Sequence, residues 1–93
     1  MEFYHLRYLL LPTMQLKVKY NANGALARCY LNAENSNTAE KIIKERLKKM
    51  GWVVDYLEKT ELFSMQNFDP SDHSPTVIQK GMDGKVAVDI EFW

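Results

Sequence analysis

The chain has 93 residues, of which 46% are hydrophobic and 12% aromatic, and this length and composition indicate one globular domain spanning residues 1–93. Such a composition excludes the intrinsically disordered class. The 12 Lys and Arg residues balance the 12 Asp and Glu residues, so net charge gives no indication of a nucleic-acid or anionic-membrane partner.

The N-terminal segment, residues 2–10, predicts a β-strand rich in aromatic residues and leucine. Alternation places two sets of side chains on opposite faces, Tyr4, Leu6, Tyr8 and Leu10 on one and Phe3, His5, Arg7 and Leu9 on the other. The dipeptide Leu11-Pro12 predicts a bend or an interruption after this strand.

Residues 14–20 alternate between apolar and polar side chains, which predicts a half-exposed strand. Residues 21–24, Asn-Ala-Asn-Gly, are typical of a tight turn, because Asn and Gly tolerate positive φ. Residues 25–32 then predict a returning strand. The two strands are expected to form a hairpin.

The strongest pattern in the sequence predicts an amphipathic helix that begins after residue 37 and ends before Gly51. Asn37 is the predicted N-cap, with Glu40 three positions later. Gly51 suits the left-handed position after a helix, and Trp52 begins the next strand. The apolar face of the helix carries Ala39, Ile42, Ile43, Leu47 and Met50.

After the helix, the sequence predicts three strands, at residues 52–63, 76–80 and 85–93, with a loop at 64–75 and a turn at 81–84. The predicted order is therefore β-β-β-α-β-β-β. It describes an α+β fold with a five- or six-stranded, mostly antiparallel sheet or half-barrel and one amphipathic helix.

One helix of this length covers about two strands, so the predicted sheet has more apolar surface than the helix can bury. The sheet could curl on itself, expose a groove for a ligand, or pack against another chain, and we favour the last. A homodimer is the commonest case. The expected interface lies on the two terminal strands and comprises Tyr4, Leu6, Tyr8, Val88, Ile90 and Phe92.

Three polar residues of the 64–75 loop, Asp69, Asp72 and His73, could contribute ligands to a metal-dependent enzyme. No HExxH, CxxC or HxH spacing supplies further ligands, and Asp-Pro and Ser-Asp are ordinary turn formers. The sequence therefore predicts no metal, no cofactor and no catalytic residue. A small-molecule or metal-dependent enzyme that uses the 64–75 loop remains the alternative function.

The solvent-facing side of the helix carries a basic face comprising Lys41, Lys44, Lys48 and Lys49. These lysines could contact the phosphates of a nucleic acid. Glu40 and Glu45 interrupt the face at i,i+4 spacing from Lys44 and Lys49, so a solvated surface is the preferred interpretation.

Residues 1–50 carry nine basic and four acidic side chains, whereas residues 51–93 carry three and eight. This asymmetry is either incidental or a bipolar surface that orients a partner. The single cysteine, Cys29, excludes an internal disulfide and is expected to be a small buried hydrophobe of a protein in the reducing cytoplasm. No apolar run is long enough to span a membrane. The sequence predicts a small, non-enzymatic, protein-interaction module that binds or inhibits a protein partner through a face or an edge of its sheet.

Overall fold

The structure, a computed structural model, describes residues 1–64 and 74–93. Over these residues, strands and helices alternate along the chain. The elements are β1 (Glu2–Pro12), α1 (Met14–Tyr20), β2 (Ala25–Ala33), α2 (Ser36–Lys49), β3 (Trp52–Leu62), α3 (Pro75–Met82) and β4 (Ala87–Phe92).

The four strands form one open antiparallel sheet in the order β3-β1-β2-β4. The two N-terminal strands, β1 and β2, are central, and each pairs with one strand from the second half of the chain. Leu6 in β1, for example, lies opposite Cys29 in β2 and Thr60 in β3. The predicted hairpin between residues 14–20 and 25–32 is wrong, because β2 pairs with β1 instead.

Helix α2 covers one face of the sheet and encloses the main core. Its buried residues Ala39, Ile43 and Leu47 lie at helical spacing, as the sequence predicts. The helix begins earlier than expected: the N-cap is Asn35, whose side-chain oxygen accepts a hydrogen bond of 2.8 Å from the backbone N–H of Thr38. The core side chains beneath it include Tyr4, Leu6, Tyr8, Leu10, Ala27, Cys29 and Leu31.

Residues 14–20 form helix α1, which corrects the predicted strand. Their apolar residues recur every second position, but in a helix Leu16 and Tyr20 fall on one side and Met14 and Val18 on another. Both sides of α1 therefore carry apolar side chains, and the resulting pattern along the sequence is the same as the alternation of a half-exposed strand. Asn21 follows in the left-handed conformation, with φ of 53°, so the predicted turn residues end a helix instead of closing a hairpin.

Residues 75–82 form helix α3, where the sequence predicted a strand and a turn. The helix lies on the face of the sheet opposite to α2. Ile78 packs there with Tyr30 and Ala87, and partly buried Phe3, Phe63 and Val77 surround this second cluster. A helix of this chain thus buries part of the apolar sheet surface that the sequence assigned to contact with another chain.

The α+β class and the antiparallel pairing are confirmed. In place of the predicted five or six strands and single helix, residues 1–64 and 74–93 contain an open four-stranded sheet and three helices. Strand β3 agrees with the strand predicted after the helix. The last strand has the predicted faces, because Val88 and Ile90 lie opposite Cys29 and Ala27 on the α2 side of the sheet. None of the described helices is long and apolar enough to cross a membrane.

Candidate functional site

One end of the molecule carries most of the exposed large apolar side chains of the described residues. At this end β1 finishes, α1 follows, β3 begins and β4 finishes. We call it the apolar end; its exposed members are Leu11, Met14, Val18, Tyr20, Met50, Val53, Tyr56, Phe92 and Trp93. Only Met1, Leu62 and Met82 are comparably exposed elsewhere in residues 1–64 and 74–93. A concentration of exposed apolar side chains of this kind is a candidate interaction surface.

A cleft of about 280 Å³, here the first cleft, opens at the apolar end between α1, the end of α2 and β4. The Tyr20 and Phe92 rings lie 5.5 Å apart, and the Trp52 and Phe92 rings 6.3 Å apart. No described lining residue carries a charge at neutral pH. Those residues are Leu16, Tyr20, Met50, Trp52, Ile90 and Phe92.

The junction between α1 and α2 holds this cleft in shape. The backbone N–H of Thr13 donates a 3.1 Å hydrogen bond to the carbonyl of Gly51, which fixes the start of α1 against the end of α2. Gly51 has φ of 93°, and a Cβ built on it would lie 3.0 Å from the side chain of Leu16. Glycine is therefore needed here both for its backbone conformation and for the close approach of Leu16.

A second cleft, of about 270 Å³, lies on the other side of Trp52, between α2 and the outer strand β3. Its walls are Lys44, Lys48, Trp52, Val53 and Val54. Trp52 itself is only 6% exposed and lines both clefts, so the two clefts are neighbours that share this residue. The second cleft thus combines apolar walls with two ammonium groups.

The predicted basic face is present and exposed, but the structure assigns its lysines to different places. Lys44 and Lys48 line the second cleft, whereas Lys41 and Lys49 do not. No salt bridge joins any of the four to an acidic residue within the described parts of the chain, so the expected pairs with Glu40 and Glu45 are not formed.

The expected interface residues separate into two groups. Tyr4, Leu6 and Tyr8 lie under α2 and are 7%, 0% and 0% exposed, so they fill the core of one chain and present no surface to a partner. Strand β1 lies between β2 and β3, so these three residues do not lie at a free edge of the sheet. Their counterparts on β4 are more accessible: Val88 and Ile90 are half-buried, and Phe92 is 47% exposed.

On the α3 side of the sheet, the two arginines of the central strands are already paired with carboxylates. Arg7 and Arg28 lie directly opposite each other on β1 and β2. The Arg7 Nε is 2.9 Å from the Glu58 Oε2, and the Arg28 Nη1 is 3.6 Å from the Glu91 Oε2. Because these carboxylates offset the like charges, this region is a weaker candidate for recognising an anion than the second cleft.

The candidate polar loop, Asp69, Asp72 and His73, lies outside the described residues. Within residues 1–64 and 74–93, no group of three His, Cys, Asp or Glu side chains could hold a metal ion. The other histidine, His5, is 1% exposed, stacks on Tyr30 at 4.8 Å and has its Nδ1 3.3 Å from the carbonyl oxygen of Cys29. Such packing is typical of a core residue.

The Cys29 side chain is fully buried, as expected from the sequence. Burial raises the pKa of its thiol to about 12, and the negative charge of Asp89 adds to this effect. The nucleophilic form of cysteine is the thiolate, and a thiol with this pKa stays protonated at neutral pH. Cys29 is therefore a packing residue.

Sequence analysis missed four residues of the first cleft. Leu16 and Tyr20 were missed because α1 was interpreted as a strand, and Met50 and Trp52 because they were assigned to the end of a helix and the start of a strand. The i,i+4 spacing of Leu16 and Tyr20 was the available signal. Comparisons with protein-family models, curated proteins and solved structures found no match to this chain.

Proposed function

We propose that this chain is a non-enzymatic protein-interaction module whose apolar end binds a segment of a protein partner. The observation that carries the proposal is the concentration of exposed apolar side chains at this end, which also contains a cleft with no charged lining residue. Exposing these side chains costs solubility, and an interaction that covers them offsets that cost.

The size and lining of the clefts favour side chains of a polypeptide over a small-molecule substrate. Sites for drug-sized ligands typically enclose about 300 to 1,000 Å³ and contain a few convergent polar groups. The two clefts measure about 280 and 270 Å³, and the first one is lined by aliphatic, thioether and aromatic side chains whose O–H and N–H groups are the Tyr20 hydroxyl and the Trp52 indole N–H. Each cleft has room for one or two apolar side chains.

A selection from phage-displayed random 12-residue peptides tests the proposal. The wild type is compared with Tyr20→Ser/Phe92→Ser, in which two walls of the first cleft are removed, and with Leu62→Ser/Met82→Ser at the opposite end. The matched residues are similarly exposed, at 47% and 47% against 60% and 47%. We expect enriched peptides to bind the wild type and the control alike, and to lose at least about tenfold in affinity for the cleft variant. Failure to enrich any peptide, or equal binding to all three proteins, would contradict the proposal.

A homodimer is the second candidate, and the position of β4 favours it. Strand β4 is an outer strand, and no other described strand pairs with its free edge. Unpaired edges readily accept a strand from a second copy. Static light scattering would then give twice the 10.9 kDa mass of one chain. A stable monomer at high concentration would exclude the homodimer without affecting the first proposal.

A further inference from the structure

We infer that the partner segment is acidic, with an apolar side chain in the first cleft and carboxylates that pair with Lys44 and Lys48 in the second. This inference rests on the proposed function and specifies the chemistry of the segment. It follows from the juxtaposition of an uncharged cleft and a basic one on either side of Trp52.

The two clefts share a wall, which places them within reach of one short segment. Trp52 lines both, and Met50 and Lys48, two and four residues before it, line one cleft each. A polypeptide advances about 3.3 Å per residue when extended. A segment of only a few residues that crosses Trp52 therefore meets both clefts.

The lysines around the clefts indicate that the partner segment is negatively charged. Lys44 and Lys48 are exposed, make no salt bridge among the described residues, and are one helical turn apart. Lys19 adds a third cation near the first cleft, because its Nζ lies 5.2 Å from the centre of the Tyr20 ring. Two carboxylates at alternate or neighbouring positions of a peptide could each meet one lysine of α2.

The same charges disfavour two other occupants. If two copies of this chain met through their apolar ends, the lysines of α1 and α2 in one copy would approach those of the other, and like charges oppose association. A single-stranded nucleic acid requires a basic groove along its backbone, whereas no described lining residue of the first cleft is charged.

The experiment is the same peptide selection, now evaluated by the net charge of the enriched sequences. The test variant is Lys44→Glu/Lys48→Glu, and the matched control is Lys41→Glu/Lys49→Glu. The control changes the net charge of the same helix by the same amount, but at exposed lysines that line neither cleft. It therefore separates local pairing from the long-range field of the protein.

We expect wild-type binders to combine at least one Phe, Trp or Leu with a net negative charge. Their affinity should fall at least about tenfold for Lys44→Glu/Lys48→Glu, and less than threefold for the control. Enriched peptides without an acidic bias, or equal losses in both lysine variants, would overturn the inference while leaving the proposed function in place. Failure to enrich any peptide would overturn both.

Two further outcomes would assign the clefts to another occupant. Displacement of the selected peptides by a 12-nucleotide oligo(dT) would overturn the inference in favour of a nucleic acid. A dimer whose dissociation is promoted by Tyr20→Ser/Phe92→Ser would overturn it in favour of a second copy of the chain.

Discussion

At the scale of single residues, burial determines what Cys29 can do. The thiol is fully buried in the main core, and its pKa is raised from an ordinary value of 9.0 to about 12. In the unfolded chain the thiol loses its proton above about pH 9, whereas in the folded chain it keeps the proton up to about pH 12. The unfolded state therefore binds fewer protons in this range, and the free energy of unfolding falls as pH rises.

We predict that the wild type loses about 1 kcal/mol of stability from this thiol by pH 10, and that Cys29→Ala loses less over the same range. Urea denaturation at pH 8, 9 and 10 measures the difference. The pKa values of Tyr8 and Tyr30 are also raised, chiefly by burial, from an ordinary value of 10.0, so both proteins should weaken further at higher pH. An identical decline in both proteins between pH 9 and 10 would contradict this role for the thiol.

Leu6 gives a second prediction at this scale. It is 0% exposed in the main core, so Leu6→Asp would bury a carboxylate that no described partner offsets. We predict that this variant does not fold, as measured by loss of a cooperative thermal transition in circular dichroism. Leu62, which is 60% exposed, provides the control: Leu62→Asp should keep the transition. A soluble, folded Leu6→Asp monomer would instead support the sequence-based view that Leu6 faces a partner.

At the scale of elements, the start of α2 leads to a prediction about which asparagine is its N-cap. The Asn35 side chain accepts the Thr38 N–H, whereas Asn37 lies within the helix and is exposed. We predict that Asn35→Ala lowers the free energy of unfolding by about 1 kcal/mol, the usual contribution of an N-cap, and that Asn37→Ala changes it little. Thermal or urea denaturation of the two variants measures this. The reverse order would place the cap at Asn37.

The contact between α3 and the sheet depends on Gly81. A Cβ built there would lie 2.8 Å from the Cβ of Tyr30 and 2.9 Å from its backbone oxygen. We predict that Gly81→Ala costs about 1 to 3 kcal/mol, because the helix must move away from β2. Hydrogen exchange should increase in α3 more than in α2. Lys80→Ala, at the neighbouring exposed position, is the control and should leave exchange unchanged.

The sequence correctly predicted the elements whose pattern of apolar residues fits only one type of secondary structure. Helix α2 carries a single apolar stripe, and Gly51 after it has the positive φ that its position predicts. Helix α1 was misassigned because apolar residues occupy two of its sides. Helix α3 was misassigned because Ser74 and Pro75 were interpreted as the end of a loop, whereas they are the N-cap and the first-turn proline of a helix. The first cleft was missed together with α1, since two of its walls, Leu16 and Tyr20, come together only when α1 is a helix.

At the scale of the whole molecule, the apolar end contains both clefts and other exposed apolar side chains. Met14 and Val18, on the outer side of α1, are 74% and 78% exposed and line neither cleft. We predict that Met14→Ser/Val18→Ser raises the concentration at which the protein aggregates and leaves the affinity for selected peptides within about twofold. Light scattering and peptide titration measure the two effects. A large loss of peptide affinity would extend the binding surface onto α1.

The strand order also has a consequence for biosynthesis. The main core draws nearly all of its buried residues from β1, β2 and α2, with Trp52 at the start of β3 as the last of them. Chains emerge from the ribosome N-terminus first, so most of this core is available before β3, α3 and β4 have been translated. We expect the nascent chain to collapse around α2 and to expose both outer edges of the β1–β2 pair until β3 and β4 arrive. Those edges, in a half-translated chain, are where a chaperone would bind.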